Sequence, residues 1–313
     1  MTREGLVDSE MKKKAFAYII LAGILWGTSG LFVAALAPRG FTSMQMTAMR
    51  GCVSLICFLI YALIFDRSAL RARPSELLLL AGSGLSLFGT AFCYYTSMQM
   101  TSVSTAVVLM YTAPIFVTVF SVIFMGERMT ALKAVSIGMM VVGCCLVSGI
   151  VGGFAFDPLG ILIGLASGIC YSSYNILTKI EMKKGIKPTT ATTYNFAVMA
   201  AVSLAICDPV DMVLGMTSFS SVALAIGIGV VTTVLPYLFY TLAMRELPAG
   251  TASSLGIVEP LAATLFGILL LSQVPDIFAF IGIALIVVAV FMLGKAEDGA
   301  SGAKVKGENS GEK

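Results

Sequence analysis

The sequence predicts an all-α integral membrane protein of ten transmembrane helices, arranged as two inverted five-helix repeats with both termini cytoplasmic. Three observations predict it. The 313 residues are 58% hydrophobic and 12% charged, against about 25% charged for an average soluble domain. Apolar runs of about 20 residues, enough to cross a hydrocarbon core of roughly 30 Å, recur along the chain. The first five of these runs reappear, in order, as the last five.

The runs lie near residues 15–36, 42–65, 76–98, 103–125, 131–150, 159–180, 189–207, 219–243, 250–271 and 276–294. Almost nothing is left to build a soluble domain. A cytoplasmic tail of residues 1–14 precedes the first repeat, 15–150, and the second repeat occupies 151–294. The polar, low-complexity tail "KAEDGASGAKVKGENSGEK", residues 295–313, reads as disordered and cytoplasmic. Lysines followed by an apolar run and "ALAP" at 35–38 have the outline of a signal peptide. The run is too long for one, and it reads as the first membrane helix.

Orientation follows the cations. The N-terminal tail, the even-numbered loops and the C-terminal tail carry 18 of the 20 Lys and Arg residues, leaving Arg39 in an odd loop and Arg50 inside a span. The positive-inside rule then puts both termini in the cytoplasm. The net charge of +3 reflects this topology and implies no nucleic-acid partner.

The repeat is visible residue by residue. "STAVVLMYTAPIFVTVF" (104–120) aligns with "GTASSLGIVEPLAATLF" (250–266), pairing Pro114 with Pro260 at an offset of 146; without a gap the offset pairs Tyr94 with Tyr240, Met98 with Met244 and Ile137 with Ile283. Five spans per half is an odd number, so the second half enters the membrane from the opposite side. Inverted repeats with interrupted helices are the architecture of secondary transporters, in which one half rocks against the other around a central site.

The chain also resembles the drug/metabolite transporter superfamily, in particular its ten-span EamA-type members. The residues that carry the resemblance are "GILWGTSGLF" (23–32), Arg50 in "TAMRGCVSL", "YTAPIFVTVFSVIFMGERMTALKAVSIGMMVVG" (111–143) and "IVEPLAATLFGILLLSQ" (257–273). The resemblance covers the chain to about Gly294 and implies export of amino acids or related metabolites. It departs from the family at Gln273, where a glutamate equivalent to Glu127 of "MGER" is often found. Glu127, beside Arg128 and Lys133, is explained by a solvated loop and helix-end electrostatics.

Other chemistries find little to work with. There is no GxxxxGK[ST] phosphate loop and no histidine, so His-based zinc sites and Ser-His-Asp triads are excluded. The seven cysteines show no CxxC spacing. No enzyme, cofactor or metal site is expected.

The expected solute path is lined from both halves. Near an offset of 145, Trp26 pairs with Tyr171 and Ser29 with Tyr174; in each span the two residues are three apart and share a face. Asn175, Thr90, Tyr94, Tyr111, Tyr237 and Tyr240 extend this aromatic and hydroxyl lining. Their plain alternative is interfacial anchoring or hydrogen bonding between helices. Gly160, Gly164 and Gly168, four apart, read as a packing stripe.

Pro114 and Pro260 remove N–H groups, so the carbonyls of Met110 and Gly256 lose their helical partners. At about 1.5 Å per residue from position 250, Glu259 lies roughly 14 Å deep, near the bilayer centre. An ionised carboxylate is expensive there, so Glu259 is expected to be protonated, paired or in a wet cavity. Arg50 is the one intramembrane cation, and a structural contact with Glu259 would explain both. These observations predict a secondary transporter of small organic metabolites, with Glu259 and Arg50 as candidates for coupling to protons and membrane lipid as the surrounding partner. A nucleotide-sugar-type antiporter is disfavoured by the scarcity of intramembrane cations. A lipid-handling membrane protein is the alternative of a different class. The residues leave the solute and the oligomeric state open.

Overall fold

The computed structural model describes residues 3–124, 129–147, 157–243 and 258–292, and every regular element among them is helical. The helices are α1 (Arg3–Gly27), α2 (Ser29–Leu36), α3 (Ser43–Phe65), α4 (Pro74–Met100), α5 (Val103–Met110), α6 (Ala113–Phe124), α7 (Ala131–Val147), α8 (Pro158–Lys183), α9 (Pro188–Ile206), α10 (Pro209–Gly215), α11 (Phe219–Gly229), α12 (Leu235–Ala243), α13 (Val258–Leu271) and α14 (Ile277–Met292). Seven helical stretches are long and apolar enough to cross a membrane, and α7, α13 and α14 are apolar but shorter. Glu127, Gly256 and the tail 295–313 lie outside the described residues.

Polarity runs from inside to outside in the sense a bilayer requires. Leu78 and Phe65 are 86% and 73% exposed, whereas Thr47, Ser54, Ser97, Ser136, Ser167 and Ser203 are buried to within 0%. Hydroxyls that would otherwise face hydrocarbon return to carbonyls one turn back, as Ser203 does to Met199. The spans pack through glycine. A Cβ on Gly164 would meet Leu109 at 2.5 Å and one on Gly168 the Thr112 hydroxyl at 2.6 Å, so the stripe on α8 is the seat of α5 and the α5–α6 junction. Gly23 and Gly27 do the same for α1 against Val258 and Ala262 of α13. At the end of each half, α7 and α14 touch glycine to glycine: a Cβ on Gly143 would lie 2.8 Å from the Gly282 carbonyl.

Helix contacts come in mates under the 146-residue offset. α1 packs on α12 as α4 packs on α8; α1 on α13 as α5 and α6 on α8; α3 on α11 as α4 on α9. The pairs α3·α9 and α5·α13 are their own mates. One end of the bundle is tied by Lys187 to Asp66 at 3.4 Å and by Tyr194 to the Leu70 carbonyl. The other is tied by Gln45 to Asp211 at 3.0 Å and Gln99 to Ser43 at 2.6 Å.

Among the described residues three spans are interrupted. The fourth breaks at Tyr111–Thr112, just ahead of Pro114, where the N–H missing at Pro114 leaves the Met110 carbonyl unpaired along the helix. The first, expected to be continuous over 15–36, stops at Gly27 and restarts at Ser29: the Thr28 hydroxyl bonds the Leu25 carbonyl and the Ser29 hydroxyl the Trp26 carbonyl, competing with the backbone ladder. The eighth, expected to be continuous over 219–243, carries a π turn at Val230–Val234. Pro236 lacks the N–H that would reach the Thr232 carbonyl and its ring crowds that oxygen, so the turn widens. Pro260 sits on the third described residue of α13.

Candidate functional site

Two tyrosine-bound charges meet where these interruptions converge. Glu259, 9% exposed, lies at the start of α13, and its Oε2 accepts a hydrogen bond from the Tyr111 hydroxyl at 3.0 Å across the α5–α6 break. Arg50, on α3, donates from a terminal nitrogen to the Tyr95 hydroxyl at 3.1 Å and lies over the Tyr95 ring, 5.9 Å from its centroid. The two charges are not an ion pair. They are close enough to act on one another electrostatically, and Tyr94 and Tyr171 are within the same reach of Glu259.

Aromatic rings close the cluster. Trp26, at the end of α1, meets Tyr237 edge-on and Tyr240 at a tilt, both with ring centroids 5.8 Å apart. Tyr171 stacks on Tyr174 at 6.3 Å along α8, and the Tyr174 and Tyr237 hydroxyls approach to 3.5 Å. Tyr94 stacks on Tyr95 and its own hydroxyl is buried with no hydrogen-bond partner, as is Nε of Arg50. Such unmatched donors are costly in a low-dielectric interior unless something accepts from them.

Not every expected lining residue joins this cluster. Ser29 is buried, but its hydroxyl is committed to the Trp26 carbonyl, and the Thr90 hydroxyl to the Ser86 carbonyl at 2.8 Å. Asn175 is exposed, one step round α8 from the Tyr171–Tyr174 face. Gln273 is a cap reaching across from the other half, accepting from the Val103 N–H at 3.0 Å and so finishing the N-terminus of α5. Two members were not anticipated from sequence. Tyr95 holds Arg50, and Phe196, 1% exposed, meets Tyr237 edge-on at 6.1 Å. The signal for Tyr95 was present in "CYYTS", because a buried guanidinium requires an acceptor nearby and a tyrosine pair offers one.

The arrangement can hold a small solute bearing both charges, with a guanidinium for a carboxylate and a carboxyl for an ammonium between aromatic walls. No metal-binding group of three or more candidate ligands occurs among the described residues.

Comparison with known proteins bears on the chain as a whole. The EamA-like transporter family matches twice, over residues 13–149 and 158–295. An uncharacterised transporter of Archaeoglobus fulgidus is 30% identical over 278 residues, covering 88% of this chain and 94% of its own. The threonine/homoserine exporter RhtA of Salmonella typhimurium is 27% identical over 259 residues, 82% of each chain. A crystal structure superposes with a TM-score of 0.60 at 19% identity, covering 90% of this chain and 96% of that one, which is a likeness of fold. A doubled family match across most of the chain, on a multi-pass apolar helical bundle, makes this protein a member of the EamA-like transporter family, within the drug/metabolite transporter superfamily.

Proposed function

We propose that the protein exports small zwitterionic metabolites, amino acids foremost, by alternating access of two inverted five-helix halves around Arg50 and Glu259. The observation that carries this reading is the pairing of one half-buried guanidinium and one buried carboxyl, each held by a tyrosine rather than by the other, beside the unmatched donors Arg50 Nε and Tyr94 Oη. A zwitterion supplies the missing acceptor and the counter-charge at once. The names of the threonine/homoserine exporters among the relatives point to the same solute class. Mated contacts, α1·α12 with α4·α8 and α1·α13 with α5·α8, support two halves related by a two-fold exchange. The apolar helices α7, α13 and α14 stand where the fifth, ninth and tenth spans are expected, and the cation distribution supports cytoplasmic termini.

Glu259 is the proposed coupling group. Protonated in one facing state and wetted near Arg50 in the other, it would couple solute movement to the proton gradient. Counterflow in proteoliposomes with a panel of labelled amino acids tests the solute class. Trp26→Ala, Tyr94→Ala, Tyr174→Ala and Tyr240→Ala are expected to weaken solute binding with near-parent membrane expression. Normal binding in all four would sink the cavity assignment.

A further inference from the structure

A second buried carboxyl lies apart from the central cluster. Glu181, near the C-terminal end of α8, is 0% exposed. Its Oε1 shares a hydrogen bond with the Ser83 hydroxyl of α4; that hydroxyl also lies 2.6 Å from Oδ1 of Asn195 on α9 and 3.1 Å from the Leu80 carbonyl. Oε2 is buried with no partner. A hydroxyl has one proton to give and is here surrounded by three oxygens. The proton count closes simply when Glu181 itself carries a proton and donates it to Ser83, which donates onward to Asn195 or Leu80.

Among the described residues no cation neutralises this carboxyl. On the elements packed around it, Lys179 and Lys183 of α8 and Lys184 at its end are exposed, Lys187 ahead of α9 is bound to Asp66 and Ser68, and at the start of α4 Glu76 lies beside Arg73. Tyr194 of α9 donates to the Leu70 carbonyl. Between the trio and the basic end of the bundle lies an apolar layer of Leu80, Ile186 and Ala191. Each is displaced toward that end: Leu80 one turn before Ser83, Ala191 one turn before Asn195, and Ile186 just after α8.

In the other direction α8 presents Thr178, Tyr174 and Tyr171 at steps of three, four and three residues from Glu181, which is one helix face. The Thr178 hydroxyl is buried with no hydrogen-bond partner, so no hydrogen-bonded path leads from Glu181 along this face. We propose that Glu181 is a second proton-binding site, which keeps its proton while the layer of Leu80, Ile186 and Ala191 is closed and exchanges it with the lysine-rich end when that layer opens. The proposal rests on the reading of the protein as a proton-coupled transporter.

The test uses the full-length protein in liposomes. Dicyclohexylcarbodiimide, which attacks protonated carboxyls in apolar surroundings, is expected to label Glu181 severalfold more at acid than at alkaline pH by peptide mass spectrometry. Absence of pH-dependent labelling overturns the proposal without depending on any variant's folding, and this arm decides if labelled L-threonine is not moved. With L-threonine as probe, Glu181→Gln is expected to lower the ratio of gradient-driven accumulation to gradient-free exchange severalfold. A parent-like ratio in Glu181→Gln overturns the proposal. If Glu259→Gln keeps the parent ratio while Glu181→Gln loses it, the central-carboxyl reading falls and the Glu181 site stands.

Discussion

The two halves share a frame and several aromatic positions, Tyr94 with Tyr240 among them, but differ in where their helices break and where their charges stand. Gly23 on α1 and its mate Gly168 on α8 both receive a neighbouring helix at less than 3 Å from where a Cβ would stand. Yet α1 and α2 break at Thr28 while α8 runs unbroken for 26 residues. In the third and eighth spans the roles reverse, with α4 continuous and α11–α12 interrupted by the π turn. The charges are unmated too. Under the 146 offset Arg50 corresponds to Phe196 and Glu259 to Ala113. Symmetric packing is therefore a property of small residues and of which helices meet, while the two charges stand as single copies.

The sharpest way to break this comparison is to exchange mates. Arg50→Met removes a half-buried, hydrogen-bonded charge, and loss of one partner in such a contact costs about 2–5 kcal/mol, so solute affinity should fall at least about 30-fold. Phe196→Leu, its mate, should change affinity severalfold at most. Equal losses, read by binding in detergent at matched expression, would show that the halves contribute alike. Next in size is the break itself. Thr90 is the mate of Pro236, so Thr90→Pro imposes on α4 what α11–α12 already carries and should destabilise the protein by about 3 kcal/mol. Pro236→Ala should restore the ladder at Thr232, raise the melting temperature slightly and slow turnover. A slower Pro236→Ala with unchanged melting would separate function from packing at that turn.

Gly23→Val and Gly168→Val sharpen the shared part of the comparison. Each overpacks a close approach, and such insertions cost about 1–3 kcal/mol, so both should lower the melting temperature to a similar degree. A large inequality would place the load on one half. The smallest effect is expected at the basic end. The Asp66 carboxyl is held below its ordinary range first by the Ser68 hydroxyl, then by Lys187 and Thr189. A depressed carboxylate contributes stability at neutral pH that is lost as pH falls through its folded value, below 3.8. The difference in melting temperature between the parent and Asp66→Asn should therefore be about 1 °C or less at pH 7, and vanish in acid.

Much of this was legible. Hydropathy located the seven stretches long enough to cross a membrane and the shorter α7, α13 and α14, and the Pro114–Pro260 alignment agrees with the doubled family match, because both depend on residue type alone. Glu259 could be singled out because a carboxylate in an apolar run has few explanations. Glu181 could not: in "TKIEMKKGIK" it reads as part of a charged loop, and its burial depends on Ser83 and Asn195, some 100 and 14 residues away in sequence. The break at Thr28 is equally silent, since hydroxyls bonding a preceding carbonyl occur at Ser86, Thr96 and Ser203 without ending a helix. Pro236 was readable by the rule that reads Pro114, but the strong hydropathy around it masked the widened turn. A contact between Arg50 and Glu259 would have explained both; each bonds a tyrosine instead, Tyr95 and Tyr111, and which tyrosine serves which charge does not follow from spacing.

The contact of α7 with α14 joins the closing helices of the two halves. At Gly143 and Gly282 each carbonyl comes within 3 Å of where the other's Cβ would stand, and Ile286 and Val147 fill the same two hollows. Knobs seated in holes resist sliding because side chains must change rotamer to pass. In mechanical terms the pair is keyed, and the two closing helices shift together sooner than past one another.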